Sequence, residues 1–296
     1  MIFQVSGFSH VGKLKDANQD SFIAEVAQTP LGDVGLIAVA DGMGGLSDGE
    51  VASATVMRRL SEWFEERLPM LLETMGSSVE GFEQAVEGQW NGLVQDWNLE
   101  ILRYGASRSM NLGTTITAFL AFGARFSILH VGDSRAYEIS DAGVRQLTED
   151  QTFIKREIDA GRVAPEEAAT HPQRNVLLQC IGSSKEVRPQ VVHGALRKDA
   201  VYMVCSDGFR HELSEEELRS ELSPSNAMAF DWEAPSEEEL RRLCDARLQI
   251  DSPDEAADAL EGTVAGVLAD LMGLVMSRDE RDNITAVLLH AESDFM

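Results

Sequence analysis

The chain has 296 residues, with 25 basic and 50 acidic side chains and a formal net charge of −25 at pH 7. Its apolar and charged fractions are ordinary for a folded protein, which argues against disorder, and its length allows a substantial core. The acidic excess argues against nucleic acid and anionic membranes as main partners, because both bind basic surfaces. An anionic substrate would need local positive charge on such a chain.

Cysteine usage and the lack of targeting segments indicate a cytoplasmic protein. The three cysteines lie far apart, which suits a reducing compartment and provides neither a disulfide framework nor a zinc pattern. Residues 1–12 lack a basic region followed by an apolar stretch, so no signal peptide is predicted. The longest apolar run, residues 263–276, is interrupted by Asp270 and is too short to span a bilayer.

In chain order, the first predicted elements are two strands followed by two long helices. Residues 2–10 are typical of an edge strand, and residues 34–40 (VGLIAVA) are typical of a buried strand. From Val51 onwards apolar residues recur at every fourth position, which predicts an amphipathic helix that Pro69 ends or kinks. Apolar residues at steps of three and four predict a second helix over residues 79–104.

The pattern then changes to short strand-like runs separated by Gly and Asp. Strands are predicted at residues 114–122, 126–131, 136–139 and 144–147, with a hairpin turn at 140–143. Later elements are a buried strand at 201–205, helices at 214–222, 237–248 and 254–276, and a last strand at 284–290. Strands in runs favour antiparallel sheets covered by helices. No Pro/Gly/Ser-rich linker divides the chain, so a single domain over residues 1–296 is predicted.

Aspartates recur beside the predicted strands. The five that stand out are Asp20, Asp41, Asp133, Asp207 and Asp282. A lone Asp-Gly after a strand is ordinary turn chemistry. Five converging carboxylates would be costly without a cation, since two of them about 4 Å apart repel by roughly 4 kcal/mol at an effective dielectric near 20. Oxygen ligands without nearby His or Cys suit Mg²⁺ or Mn²⁺ rather than zinc, so a hard-cation site is predicted.

Seven short motifs occur in one order along the chain. They are residues 15–20 (KDANQD), 41–45 (DGMGG), 113–115 (GTT), 132–135 (GDSR), 147–150 (LTED), 206–208 (SDG) and 282–285 (DNIT). Together they resemble the protein phosphatase 2C family of metal-dependent protein phosphatases, in its bacterial form, over nearly the whole chain. The resemblance implies an α+β fold, a four-layer α-β-β-α sandwich in which two antiparallel sheets are flanked by helices.

The resemblance also implies a role for each residue of the core site. Asp41 matches a carboxylate that bridges two metal ions, and Gly42 matches the carbonyl ligand beside it. Asp207 and Asp282 match ligands of the first metal, and with Asp41 they are the implied catalytic residues. Asp20 matches a residue that binds metal-coordinated water near the second metal.

Further positions complete the implied site or depart from the family pattern. Asp133 matches a ligand, shared with Asp207, of a third and weaker ion that many bacterial members carry. Lys15 matches the phosphate-binding Arg; it keeps the charge but lacks the bidentate geometry. Met43 stands where animal members often have a His proposed as general acid, and Met cannot donate a proton. Gln151 stands where many relatives have His, so it is assigned no catalytic role.

The implied function is a serine/threonine protein phosphatase that uses two or three Mn²⁺ or Mg²⁺ ions. A water or hydroxide that bridges two metals attacks phosphorus of phosphoserine or phosphothreonine, since one bound metal can lower the pKa of water from 15.7 to about 7. The implied partners are phosphorylated proteins, substrates of a serine/threonine kinase. The enzyme is expected to act as a monomer, without nucleic acid or membrane.

Two other interpretations and two segments remain open at this point. A pseudophosphatase that binds partners without catalysis would usually lose metal ligands, whereas Asp41, Asp207 and Asp282 are all present. A two-metal phosphodiesterase or nuclease is disfavoured by the acidic surface and the absence of basic, aromatic-interleaved stretches. Residues 152–182 correspond to the family's variable flap beside the active site. Residues 224–253 are predicted to be an added helical element for partner binding or a surface excursion.

Overall fold

The computed structural model describes residues 1–44, 48–75, 79–183, 185–232 and 262–292. Its strands are β1 (Ile2–His10), β2 (Asp20–Thr29), β3 (Gly32–Gly44), β4 (Leu112–Thr114), β5 (Ile116–Phe122), β6 (Arg125–Val131), β7 (Arg135–Ser140), β8 (Gly143–Gln146), β9 (Gln190–Ala195), β10 (Val201–Cys205) and β11 (Ile284–Glu292). Its helices are α1 (Gly49–Glu66), α2 (Leu68–Met75), α3 (Val79–Arg108), α4 (Phe153–Asp159), α5 (Asp207–Arg210), α6 (Glu215–Leu222), α7 (Pro224–Ala227) and α8 (Val264–Ser277).

The strands form two antiparallel sheets. Sheet 1 has the order β1-β11-β10-β7-β8, and sheet 2 has the order β2-β3-β5-β6-β9 with β4 paired to β3. Each of these pairings is antiparallel. The antiparallel architecture predicted from the strand runs is therefore confirmed, and β1 lies at an edge of its sheet as expected.

Three apolar layers hold the molecule together. Between the sheets, Phe119 of β5 and Tyr202 of β10 pack with ring centroids 4.8 Å apart. The outer face of sheet 2 is covered by α1 to α3, where Trp63 and Trp90 lie 5.5 Å apart in the core. The outer face of sheet 1 is covered by α6 and α8. These layers confirm the α-β-β-α sandwich.

Several predicted boundaries shift in ways that local chemistry explains. The predicted break at Pro69 is confirmed, because α1 ends at Glu66 and Pro69 lies in the first turn of α2, where a missing N–H is tolerated. The strand predicted at 34–40 continues to Gly44 and so includes Asp41.

Within the described part of the chain, no helix is both long and apolar enough to cross a membrane.

The two predicted special segments are described to different extents. The flap contains α4 and a short 3₁₀ turn, Pro165–Thr170. In the predicted added segment, α7 is the helix that the structure describes. Residues 233–253 of that segment, the helix predicted at 237–248 and residues 254–261 of the last predicted helix lie outside the described residues.

Candidate metal centre

One end of the sandwich gathers the segments that carry the aspartates. In sheet 1, β10 ends at Cys205, whose pairing register places the start of β7 on one side and the start of β11 on the other. Neighbouring antiparallel strands begin and end at a shared edge, so the turns carrying Asp133, Asp207 and Asp282 come together there.

Asp20 and Asp41 reach the same end from sheet 2. Asp20 does not simply follow a strand but opens β2, and it pairs directly with Asp41 of β3. Directly opposite residues on an antiparallel pair have Cβ atoms about 4.5–5.5 Å apart. Asp20 is only 8% exposed, and its Oδ2 accepts a 2.6 Å hydrogen bond from Thr285 Oγ1 of β11. This bond ties the two sheets together at the aspartates.

The backbone around Asp41 and Gly42 is held firmly. The Asp41 carbonyl accepts 2.9 Å hydrogen bonds from Thr115 N and Thr114 Oγ1, and the Asp41 N–H donates to Thr115 Oγ1 at 2.9 Å. A Cβ on Gly42 would collide with the carbonyls of Gln19 and Gly49. Only glycine therefore fits at this position, which packs the Gly42 backbone against both neighbouring segments.

Asn283 organises the loop that carries Lys15. It is 3% exposed, and its Nδ2 donates to the carbonyls of Val11 at 2.8 Å and Ala17 at 3.1 Å. Its Oδ1 accepts from Gln19 N at 2.9 Å. One amide thus satisfies three backbone groups of the loop, directly beside Asp282.

Burial and mutual repulsion raise the pKa values of the two carboxyl groups on sheet 2. Burial is the largest cause for Asp20, whose pKa rises to about 7 although hydrogen bonds from Thr285 and Ser206 oppose the rise. Burial, followed by the charges of Asp20 and Asp207, raises the pKa of Asp41 well above its ordinary value. These groups are therefore costly to ionise together without a nearby cation.

The carboxyl groups on sheet 1 behave in the same way. Burial, and next the charge of Asp207, raise the pKa of Asp133 to about 7, against the opposing charge of Arg210. Burial also raises the pKa of Asp207, against the opposing charges of His211 and Arg210. The His211 Nε2 lies 3.8 Å from Asp207 Oδ2, and its Nδ1 lies 3.6 Å from Glu280 Oε2.

Lys15 brings an ammonium group to the cluster. Its Nζ lies 2.6 Å from Asp282 Oδ1, with both side chains partly exposed. Burial acts to lower the pKa of Lys15, but the hydrogen bond to Asp282 and the charges of Asp41 and Asp207 outweigh it, so the pKa is raised. The ammonium therefore stays charged among the carboxylates.

Hydrogen bonds of Arg135 and Gln151 hold the loop that carries Asp133. Asp133 is 7% exposed, and the neighbouring Arg135 makes two hydrogen bonds to Asp150, Nε to Oδ1 at 2.7 Å and Nη2 to Oδ2 at 2.6 Å. Gln151 Oε1 accepts from Gly132 N at 3.0 Å, and Gln151 Nε2 donates to the Arg188 carbonyl at 3.3 Å. Gln151 thus supports the loop through its backbone contacts.

The donor set fits a hard divalent cation, although the carboxylates are loosely spaced. Among the described residues, no three His, Cys, Asp or Glu side chains converge closely enough to form a ready-made metal-binding group. Yet the aspartates raise one another's pKa values, and Asp20 Oδ1 and Asp207 Oδ1 are buried without a hydrogen-bond partner in this part of the chain. A hard cation would reduce this repulsion and would supply a partner for the two unpartnered oxygens.

A cavity of about 540 Å³ opens beside the aspartates. Asp133, Asp207 and Asp282 line it together with Ile154 and Arg174 of the flap. The cavity therefore gives access to the aspartates between the strand ends and the flap.

Sequence reasoning missed several residues that shape this centre. Asn283 and Thr285 belong to a recognised motif but were given no role in the site. Both are buried, and they form hydrogen bonds with Gln19 and Asp20, respectively. Arg210 and His211 were not singled out, although their charges act on Asp133 and Asp207. The available signal for the last pair was two basic residues one helical turn after Asp207 in a strongly acidic chain.

Comparison with known sequences identifies the family of the chain. The family model described as protein phosphatase 2C matches residues 7–249. The serine/threonine protein phosphatase PstP of Mycobacterium tuberculosis is 29% identical over 285 residues, which make up 95% of this chain and 50% of that protein. The chain thus spans about half the length of this curated relative.

Solved structures share the fold over nearly the whole chain. The serine/threonine phosphatase of S. agalactiae superposes with a TM-score of 0.74 at 26% identity, covering 98% of this chain and 100% of that one. The catalytic domain of the serine threonine protein phosphatase PstP, solved in complex with two manganese ions, superposes with a TM-score of 0.66 at 25% identity, covering 97% of each chain.

Proposed function

The chain belongs to the protein phosphatase 2C family, and from this premise we propose that it is a metal-dependent phosphatase of phosphoserine and phosphothreonine in proteins. The observation that carries the proposal is the location of five aspartates at one end of the sandwich, where four of them have raised pKa values. Hard cations stabilise such a cluster and supply the positive charge that a phosphate needs on a chain of net charge −25.

The proposed metal ligands are the residues that the motifs singled out. Asp41, the Gly42 carbonyl, Asp207 and Asp282 would hold two Mn²⁺ or Mg²⁺ ions, with Asp20 beside them. When bound, the cations lower the pKa of a coordinated water towards neutrality and balance the charge of the phosphoryl oxygens. The two manganese ions in the PstP structure support this choice of metal.

Lys15 has a distinct task in this proposal. Its ammonium pairs with Asp282 at 2.6 Å, and a cation held by Asp282 would compete with that pairing. Lys15 would then bind and orient the phosphate group. A lysine ammonium binds phosphate as a point charge with three donors, and it lacks the planar, bidentate geometry of an arginine guanidinium.

The proposed substrates are phosphoproteins produced by a serine/threonine kinase. The cavity between the strand ends and the flap is bordered by Arg174 and Arg281, whose charges suit the approach of a phosphorylated segment. The named activity of the M. tuberculosis and S. agalactiae relatives supports this substrate class.

A phosphate-release assay tests the proposal. We expect Mn²⁺-dependent release of phosphate from a phosphothreonine peptide, lost on addition of EDTA and abolished by Asp41→Ala or Asp282→Ala, because each removes a proposed ligand. Asp96→Ala on the exposed surface of α3 is the matched control and should retain activity.

Each of the other outcomes would indicate a different function or mechanism. Mn²⁺ binding without phosphate release would indicate a pseudophosphatase that acts as a binding module. Preferential cleavage of a phosphodiester would indicate a two-metal phosphodiesterase. Release that is insensitive to EDTA would overturn the metal-dependent mechanism.

A further inference from the structure

Arg210 is a buried cation in the wall of the cavity beside the aspartates. It ends the single turn of α5 that begins at Asp207, and residues three apart on a helical turn share a face. Its side chain is 11% exposed, and its Nη2 donates to the Asp133 carbonyl at 3.3 Å. The guanidinium is therefore held between the two turns that carry Asp133 and Asp207.

Arg210 shares its ion-pair partner with a second arginine. Its nearest carboxylate partner is Asp150, at 3.6 Å from Nη2 to Oδ2. Asp150 already binds Arg135 through two short hydrogen bonds of 2.7 and 2.6 Å. Two guanidinium groups thus share Asp150, and the charge of Arg210 also acts on Asp133 and Asp207.

A second observation concerns the hydrogen bonds of the Arg210 guanidinium. Its Nε is buried and has no hydrogen-bond partner within the described part of the chain. An arginine in a protein cannot relieve such a position by losing its proton. The cavity beside Asp133 and Asp207 therefore holds a permanent positive charge.

We infer that the guanidinium of Arg210 takes the place of a third divalent cation beside Asp133 and Asp207, so that the site binds two metal ions and excludes a third. This inference rests on the proposed function. A cation shared by Asp133 and Asp207 would lie next to a buried like charge that can neither deprotonate nor swing away without losing its bond to the Asp133 carbonyl.

Counting bound metal tests the inference without relying on catalysis. The EDTA-treated chain is titrated with Mn²⁺ by calorimetry, and bound Mn²⁺ is counted by electron paramagnetic resonance after dialysis. We expect two ions for the wild-type chain and three for Arg210→Gln, with the third bound more weakly. Arg210→Lys keeps the charge and should bind two, which makes it the matched control.

The possible results separate cleanly. Three ions on the wild-type chain, or equal counts for the wild type and Arg210→Gln, would overturn the inference. Arg210→Met serves as a second neutral variant if circular dichroism shows Arg210→Gln to be misfolded, and the wild-type count stands in either case. A chain that binds two ions but releases no phosphate refutes only the proposed function, whereas a chain that binds no Mn²⁺ refutes both.

Discussion

Lys15 faces three carboxylates with one ammonium group. It lies 2.6 Å from Asp282, and the charges of Asp282, Asp41 and Asp207 outweigh burial, so its pKa is raised. The group is thus protonated throughout the neutral range. Its partner is Asp282, a proposed metal ligand, so the proposed site predicts that phosphate capture and metal binding are linked through Lys15.

Replacing Lys15 should change phosphate binding more than turnover. A hydrogen bond to a charged group contributes about 1.5–3 kcal/mol, so Lys15→Met should raise KM for a phosphopeptide by about tenfold or more while kcat changes little. Lys15→Arg should lower KM, because a guanidinium can bind phosphate through two parallel hydrogen bonds. Steady-state kinetics with a phosphothreonine peptide measures both variants.

A nearby lysine provides the control for this test. Lys13 is exposed in the same loop, so Lys13→Met removes an equal charge without removing the contact to Asp282. An unchanged KM for Lys15→Met would leave Lys15 as a surface residue. Tighter Mn²⁺ binding by Lys15→Met would show that its ammonium competes with the cation.

Among the elements, the central strands could be predicted, whereas the two edge strands of sheet 2 could not. Residues 34–40 and 201–205 form near-continuous apolar runs because β3 and β10 are covered on both faces. The strands β2 and β9 lie at the two edges of sheet 2, and most of their residues are only partly buried. Their composition therefore carries a weak periodic signal, and the sequence did not predict them.

Some residues of the candidate site could likewise be predicted from the sequence, and others could not. Its aspartates could be singled out because each lies in a short motif next to a strand. The contacts of Asn283 could not, because they join segments 264 to 272 positions apart and depend on which strands are neighbours. Arg210 was missed for a related reason, since its contact to the Asp133 carbonyl spans 77 positions.

The start of β11 should be sensitive to Asn283. Asn283→Ala removes three hydrogen bonds to the loop before β2, each contributing about 0.5–1.5 kcal/mol, and leaves the partly buried backbone N–H of Gln19 without its acceptor. We expect a loss of about 2–4 kcal/mol in the free energy of unfolding, measured by urea denaturation. We also expect weaker Mn²⁺ binding by about 10–100-fold, since partners behind the ligands orient them.

A surface asparagine controls for the substitution itself. Asn91 lies exposed on α3, so Asn91→Ala should leave both the free energy of unfolding and Mn²⁺ affinity almost unchanged. If Asn283→Ala lowered stability but left Mn²⁺ affinity intact, the loop would not position the proposed ligands.

At the scale of the whole molecule, repulsion between the aspartates of the candidate metal centre affects both cation binding and the stability of the fold. The chain carries a net charge of −25, and Asp20 and Asp133 of its aspartate cluster are buried at the end of the sandwich. Buried carboxylates that repel one another either retain protons or bind cations. Stability, pH and metal should therefore be coupled.

In the metal-free chain, the raised pKa values of Asp20 and Asp133 should make stability fall as pH rises. The unfolded chain releases these protons near the ordinary value of 3.8, whereas the folded chain retains them to about pH 7. The folded state thus binds more protons in this range, so raising the pH to 8 lowers the free energy of unfolding, by up to about 1.4 kcal/mol per pH unit for each proton. His130, whose pKa burial lowers to about 4, acts in the opposite sense only below its ordinary value of 6.5. Calorimetry between pH 6.5 and 8 should therefore record a falling Tm.

Saturating Mn²⁺ should remove this fall in Tm. Cations replace the protons on the carboxylates, so metal binding releases protons and becomes tighter as pH rises. The difference in Tm with and without Mn²⁺ should consequently widen from pH 6.5 to 8. A chain carrying both Asp20→Asn and Asp133→Asn cannot hold these two protons, so its metal-free Tm should depend less on pH. Equal pH dependence in this variant and in the wild type would mean that other groups set the stability, and the proposed coupling between the aspartate cluster and the fold would be wrong.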